Sequence, residues 1–192
     1  MARKKLPDIS VQSNTYVLFV LLLFLIPLPW LAGWLVSVLF HELCHWFAVL
    51  LFGGQVYKIT VGLGGANMEC TAFTDSKNIL CILAGPVGGF LLALLGHWFP
   101  RLAICSWVLS VYNLMPLMPL DGGRALQILW NNPKSFEKFE VIFLMILTVL
   151  VFGLSFIKHL GVFPLCVVSA LWIKNRKRPC KEGGCKLQYR QK

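Results

Sequence analysis

Residues 30–52 form one apolar run, and in its middle stand two imidazoles and a carboxylate: His41, Glu42 and His45. A carboxylate at the centre of a bilayer span costs about 2.5–3.5 kcal/mol on insertion scales, so such groups face a bundle interior or a wet cavity. Helical residues four apart share a face one turn apart, so His41 and His45 can both reach one metal ion. Glu42 stands beside the first His, where it can take a proton from a metal-held water. His-Glu-x-x-His on a helix is the spacing that holds Zn2+ in zinc hydrolases. The competing reading is a polar cluster that holds helices together.

The rest of the chain supplies the membrane context. Of 192 residues 57% are hydrophobic and 14% charged, against about 25% charged in soluble domains; mean hydropathy is +0.71. Apolar runs at Tyr16–Pro29, Trp30–Phe52, Ile79–Phe99, Leu102–Leu120, Phe139–Ile157 and Leu160–Ile173 predict an all-α polytopic membrane protein of about six transmembrane helices. Residues 1–173 read as the membrane core and 174–192 as a basic tail. The net charge is +10. Arg3, Lys4 and Lys5 at one end, and Arg176, Lys177, Arg178, Lys181, Lys186, Arg190 and Lys192 at the other, place both termini on the cytoplasmic side. Six spans satisfy this and leave only Arg101 and Lys158 outside. The tail suits anionic lipid rather than nucleic acid, because it lacks aromatic interleaving. The apolar run behind the basic start lacks a small-x-small cleavage site and reads as a retained first span.

Two intervals break the helical pattern. Gln55–Leu63 and Asn67–Phe73 read as strands about a Gly64-Gly65-Ala66 turn. This interval is either a surface loop or a membrane-associated hairpin that offers an edge to an extended peptide. Between Asn113 and Gly123, Pro116, Pro119, Gly122 and Gly123 interrupt the helix. Irregular backbone at membrane depth lines a cavity or is buried in protein.

Asp121 lies in that second interval, among glycines that permit close approach, and is the candidate third metal ligand; it can also cap a helix beginning at Gly122. Asn113 can hydrogen-bond a substrate backbone or a developing oxyanion, or join two helices. Arg124 reads as a snorkelling cation. His97 and His159 fall near span ends and read as interfacial anchors rather than ligands. Of the seven cysteines, Cys44, Cys81, Cys105 and Cys166 fall in spans, where Cys acts as a small hydrophobe. Cys180 and Cys185 supply only two ligands for a knuckle, with no His near them.

With His41-Glu42-Leu43-Cys44-His45, Ala84-Gly85-Pro86 and Asn113-Leu-Met-Pro-Leu-Met-Pro-Leu-Asp121-Gly122-Gly123, the chain resembles the site-2 protease family of intramembrane metalloproteases. Within it, the prolines and spacing are most similar to the sporulation sigma-factor processing branch. The resemblance implies zinc held by His41, His45 and Asp121, Glu42 as general base, and Asn113 in contact with substrate or intermediate. It also implies a membrane-associated strand or hairpin at residues 53–75. Two departures stand out: Cys44 replaces the Gly usual in the sporulation branch, and Val87-Gly88-Gly89 follow Gly-Pro where an Asn is common. Neither the branch's C-terminal regulatory domain nor a PDZ domain is expected here.

The function expected is that of a zinc endopeptidase, in a prokaryotic membrane, cleaving membrane-tethered proteins within or near their spans. Two rivals make different use of the same residues. A catalytically silent relative would bind membrane partners without cutting. A zinc transporter would carry polar sites along a path, whereas the acids and imidazoles here converge, with other spans nearly devoid of charge. Substrate, trigger and oligomeric state are not legible.

Overall fold

The computed structural model describes residues 8–11, 26–62, 65–71, 73–130 and 132–158, with single positions or short pieces at 16, 20, 22–24, 169 and 171–172. Most of the first and last expected spans, the 174–192 tail, His159, Cys166, Cys180 and Cys185 lie outside the described residues. The chain divides into two compact units, one running to Met115 and one beginning at Pro116.

In the first unit, α1 spans Leu28–Leu51. Proline starts it well: Pro27 stands at the cap with Pro29 inside the first turn, where a missing N–H is harmless. Its 24 residues give about 36 Å, enough to cross a hydrocarbon core of about 30 Å. It ends where Gly53 adopts φ 77°. Gly53 N–H donates to Leu50 O at 3.0 Å and Gly54 N–H to Val49 O at 2.9 Å; this pair of bonds closes a helix end through a left-handed glycine.

α2 spans Asp75–Ala93 and continues as a 3-10 turn over Leu94–His97; α3 spans Pro100–Asn113. Among the described residues, α1 and the continuous Asp75–His97 helix are long and apolar enough to cross a membrane. The three helices pack on one another along a seam of small residues. A Cβ on Gly88 would fall on Sγ of Cys44, and one on Gly89 would fall on Oγ of Ser110. Between α1 and α3, the buried Ser37 hydroxyl donates to Gly33 O at 2.7 Å and meets the Ser106 hydroxyl at 2.8 Å. In the membrane, such small side chains let backbones approach, which replaces the hydrophobic drive that water would supply.

A three-stranded sheet has the order β1-β2-β3, with β1 Asp8–Val11 ahead of α1 and β2 Val56–Gly62 and β3 Gly65–Cys70 between α1 and α2. β2 and β3 form the expected antiparallel pair, but the register corrects the turn. Gly65 faces Gly62 and Ala66 faces Val61, so these two residues belong to β3 and the connection shrinks to residues 63–64. β1 was not expected from the sequence; it pairs in parallel with β2, Asp8 opposite Lys58 and Val11 opposite Val61. The sheet packs on the helices through Val56, Ile59, Met68 and Cys70, which meet Ala48, Val49, Cys81 and Phe73. Gly54 is needed there because a Cβ would fall on the Phe73 ring.

In the second unit, α4 spans Asp121–Leu129 and α5 spans Pro133–Lys158. Asn132 caps α5, its Oδ1 accepting the N–H of Lys134 at 3.1 Å and of Ser135 at 3.4 Å. Residues 114–120, placed in the sequence inside a fourth apolar run, are irregular.

Candidate metal centre

His41 and His45 are brought together on the face of α1 that meets α2. Their rings stand edge to face with centroids 4.8 Å apart, and the two Nε2 atoms lie 3.1 Å from one another. Two nitrogens bound tetrahedrally to one zinc at about 2.0–2.1 Å would be about 3.3 Å apart, so the pair stands close to ligating separation. His45 Nδ1 lies 2.8 Å from Cys81 O. A carbonyl can only accept, so Nδ1 carries the proton and Nε2 of the neutral ring keeps its lone pair. Metal-ligating imidazoles are oriented by such an outer hydrogen bond. His41 is buried, whereas His45 and Glu42 are half-buried.

The room in front of these nitrogens is made by Gly85. A Cβ there would fall on Nε2 of His45 and come within 2.7 Å of Nε2 of His41. Pro86 follows it inside α2; it brings no N–H to the ladder, and proline in a helix interior kinks it. Glycine then lets the α2 backbone come close to both rings. The donors, their separation and this cradle fit a zinc ion. The sequence marked Ala84-Gly85-Pro86 but assigned its residues no task; the task belongs to Gly85.

The remaining expected residues are placed as follows. Asn113 is the last residue of α3, half-buried, with Nδ2 donating to Leu109 O of its own helix at 3.1 Å, rather than to a second helix. His97 lies exposed in the 3-10 turn beside Trp98. In the second unit, Asp121 is buried and is the first residue of α4, with Leu120 at the cap. It therefore does not cap a helix beginning at Gly122; it stands in the first turn, where the helix dipole favours a carboxylate. Gly123 packs against the Leu117–Met118 peptide, since a Cβ would fall on Leu117 C and O.

One charged group was overlooked in the sequence. Glu140 lies within the fifth apolar run, 1% exposed, and its Oε1 accepts the Met118 N–H at 2.6 Å. The runs outside 30–52 thus hold a buried acid as well. The signal was available, because an acid inside an apolar run asks for a partner whether or not a motif surrounds it.

No family model matches the chain. It is similar to a candidate zinc metalloprotease of Synechocystis, 31% identical over 126 residues, covering 54% of this chain and 33% of that protein. A zinc metalloprotease of Methanocaldococcus jannaschii is 26% identical over 148 residues, 68% of this chain and 40% of the relative. Stage IV sporulation protein FB of Bacillus subtilis is 25% identical over 118 residues, 54% of this chain and 41% of the relative. The chain thus matches well under half the length of these relatives. Among solved structures, the site-2 protease from Methanocaldococcus jannaschii shares the fold, with TM-score 0.66 at 18% identity over 94% of this chain and 96% of that one.

Proposed function

We infer that this chain, which resembles the site-2 protease family in sequence and in fold, is the core of an intramembrane zinc endopeptidase that cleaves membrane-tethered proteins. The observation that carries the reading is the convergence of two imidazole nitrogens, 3.1 Å apart on an apolar helix, over a cradle that only glycine leaves open. Glu42 stands beside them in sequence. Asp121 is proposed as the third ligand. His41, His45 and Asp121 each offer one ligand atom; two imidazoles and a carboxylate make a zinc donor set that leaves a fourth position open.

Bound zinc supplies Lewis acidity and brings the ionisation of a coordinated water near neutral pH. The chain's own residues do the rest. His45 is held in one tautomer by Cys81 O. The Glu42 carboxylate takes the water proton as the oxygen attacks the scissile carbonyl. It then gives that proton to the departing amine nitrogen, without which the C–N bond cannot break cleanly. Asn113 is proposed to hydrogen-bond the substrate backbone or the developing oxyanion, giving up its bond to Leu109 O when it does so. A helical substrate shields its peptide bonds, so it must be held extended. β2 is paired on both sides, with β1 and with β3, so of the hairpin it is β3 that suits strand pairing with such a segment.

The wider architecture proposed is six spans in a prokaryotic cell membrane, residues 1–173 forming the core, with both termini and the 174–192 tail on the cytoplasmic side. α1, α2, α3 and α5 cover the second to fifth of the expected apolar runs in whole or in part.

Zinc content of the detergent-purified chain tests the reading without knowledge of a substrate. About one zinc per chain, lost in His41→Ala and Asp121→Ala and retained in Glu42→Gln, is expected. Glu42→Gln should also abolish cleavage of co-expressed membrane-tethered substrates. No zinc in a folded wild-type chain, even when zinc is supplied, would overturn the reading. Zinc flux in proteoliposomes that survives Glu42→Gln would favour a transporter instead.

A further inference from the structure

We propose that Glu140 is a positioning residue for Asp121, fixing the backbone turn from which that carboxylate is presented. The inference rests on the proposed role of Asp121 as a zinc ligand.

The segment before Asp121 is poor in its own hydrogen bonds. Pro116 and Pro119 carry no N–H, and the backbone there is neither helix nor strand. The Met118 N–H, lying between the prolines, goes to Oε1 of Glu140 at 2.6 Å. Leu117, 2% exposed, accepts the Leu120 N–H through its carbonyl at 2.9 Å. Leu120 O in turn accepts the Arg124 N–H at 3.0 Å. On the other side, Gly123 packs so closely on the Leu117–Met118 peptide that a Cβ would meet Met118 N at 2.7 Å. The Leu117–Met118 peptide is therefore gripped by Glu140 at its N–H and by Gly123 of α4. Asp121 begins that same helix, three residues beyond Met118.

Glu140 stands at the start of the fifth apolar run and is 1% exposed; a buried carboxyl group is costly unless a partner requires it. Leucine would fill the same space without that cost. What leucine cannot do is accept the Met118 N–H. Metal sites depend on such outer contacts, and loss of one typically costs about 10–100-fold in metal affinity.

The test is zinc affinity of the full chain in detergent, measured by competition with a chromogenic chelator, for wild type, Glu140→Leu, Glu140→Gln and Asp121→Ala. Glu140→Leu is expected to bind zinc about 10–100-fold more weakly with unchanged circular dichroism. Glu140→Gln, whose amide oxygen can still accept from Met118, should stay within about threefold of wild type. Wild-type affinity in Glu140→Leu overturns the proposal and leaves Glu140 a structural group; so does an equal loss in Glu140→Gln, which would mean the charge rather than the acceptor matters. If Glu140→Leu fails to fold, Glu140→Asp, which keeps the carboxylate but shortens its reach, should show the same loss, and wild-type affinity there overturns the proposal. Undiminished binding in Asp121→Ala would instead remove the premise, an outcome distinct from a silent Glu140.

Discussion

A Cβ on Gly85 would fall on Nε2 of His45. The two residues sit on different helices, 40 positions apart, and their approach is what leaves room in front of the histidine nitrogens. Gly85→Ala is therefore expected to push the α2 backbone away from α1, at about 1–3 kcal/mol for overpacking, and to weaken zinc binding at least about tenfold. Zinc stoichiometry and competition titration of the purified variant check this. A variant that binds zinc as wild type does would mean that the ion sits elsewhere.

Cys44 and Gly88 form a matched pair: Sγ of Cys44 lies where a Cβ on Gly88 would be. Glycine at position 88 thus accounts for the tolerance of a thiol at position 44. Gly88→Ala alone should destabilise the fold by about 1–3 kcal/mol. Adding Cys44→Gly should recover part of that loss, with a coupling of about 0.5–3 kcal/mol in a double-mutant cycle. Denaturant unfolding in detergent reads it, and additive effects would show that the two do not share the space.

The Ser37 and Ser106 hydroxyls, 2.8 Å apart and each 1% exposed, tie α1 to α3. Ser37→Ala should strand the Ser106 hydroxyl and cost about 1–3 kcal/mol, whereas Ser37→Ala with Ser106→Ala should cost less than the sum of the single changes. Thermal unfolding of the three variants decides it.

Burial, with a smaller contribution from neighbouring Cys81, pushes the Cys70 thiol up from 9.0 to about 11. Thiolate is the reacting form. At pH 8 its population, and with it the rate of alkylation, should fall about 100-fold relative to a thiol of pKa 9.0. Because the folded value is the raised one, the contribution to stability is present below about pH 9 and lost as pH rises towards 11. Mass-spectrometric maleimide labelling against pH checks the first part, and unfolding midpoints at pH 8 and 10.5 check the second.

The histidine pair was legible because its logic is local: four residues are one helical turn, and the apolar flanks of α1 specify the helix. The hairpin was legible as an alternation but not in its register, because Gly65 and Ala66 look like turn residues until pairing with Gly62 and Val61 places them in β3. β1 is four residues long, too short for periodicity to mark, and its pairing with β2 spans about fifty residues of chain.

The sequence by itself determined where the imidazole pair stands, since His41 and His45 lie one helical turn apart inside an apolar run that specifies the helix. Only the tertiary structure decided what surrounds them: that Cys81 O orients His45, that Gly85 opens the cradle, that Gly88 accommodates Cys44, and that Glu140 holds the turn before Asp121. Each of these is a contact between segments distant along the chain. A glycine's value lies in the atom it lacks, and a carbonyl acceptor is common to every residue. Nothing in a linear pattern distinguishes these positions until packing brings the partner close.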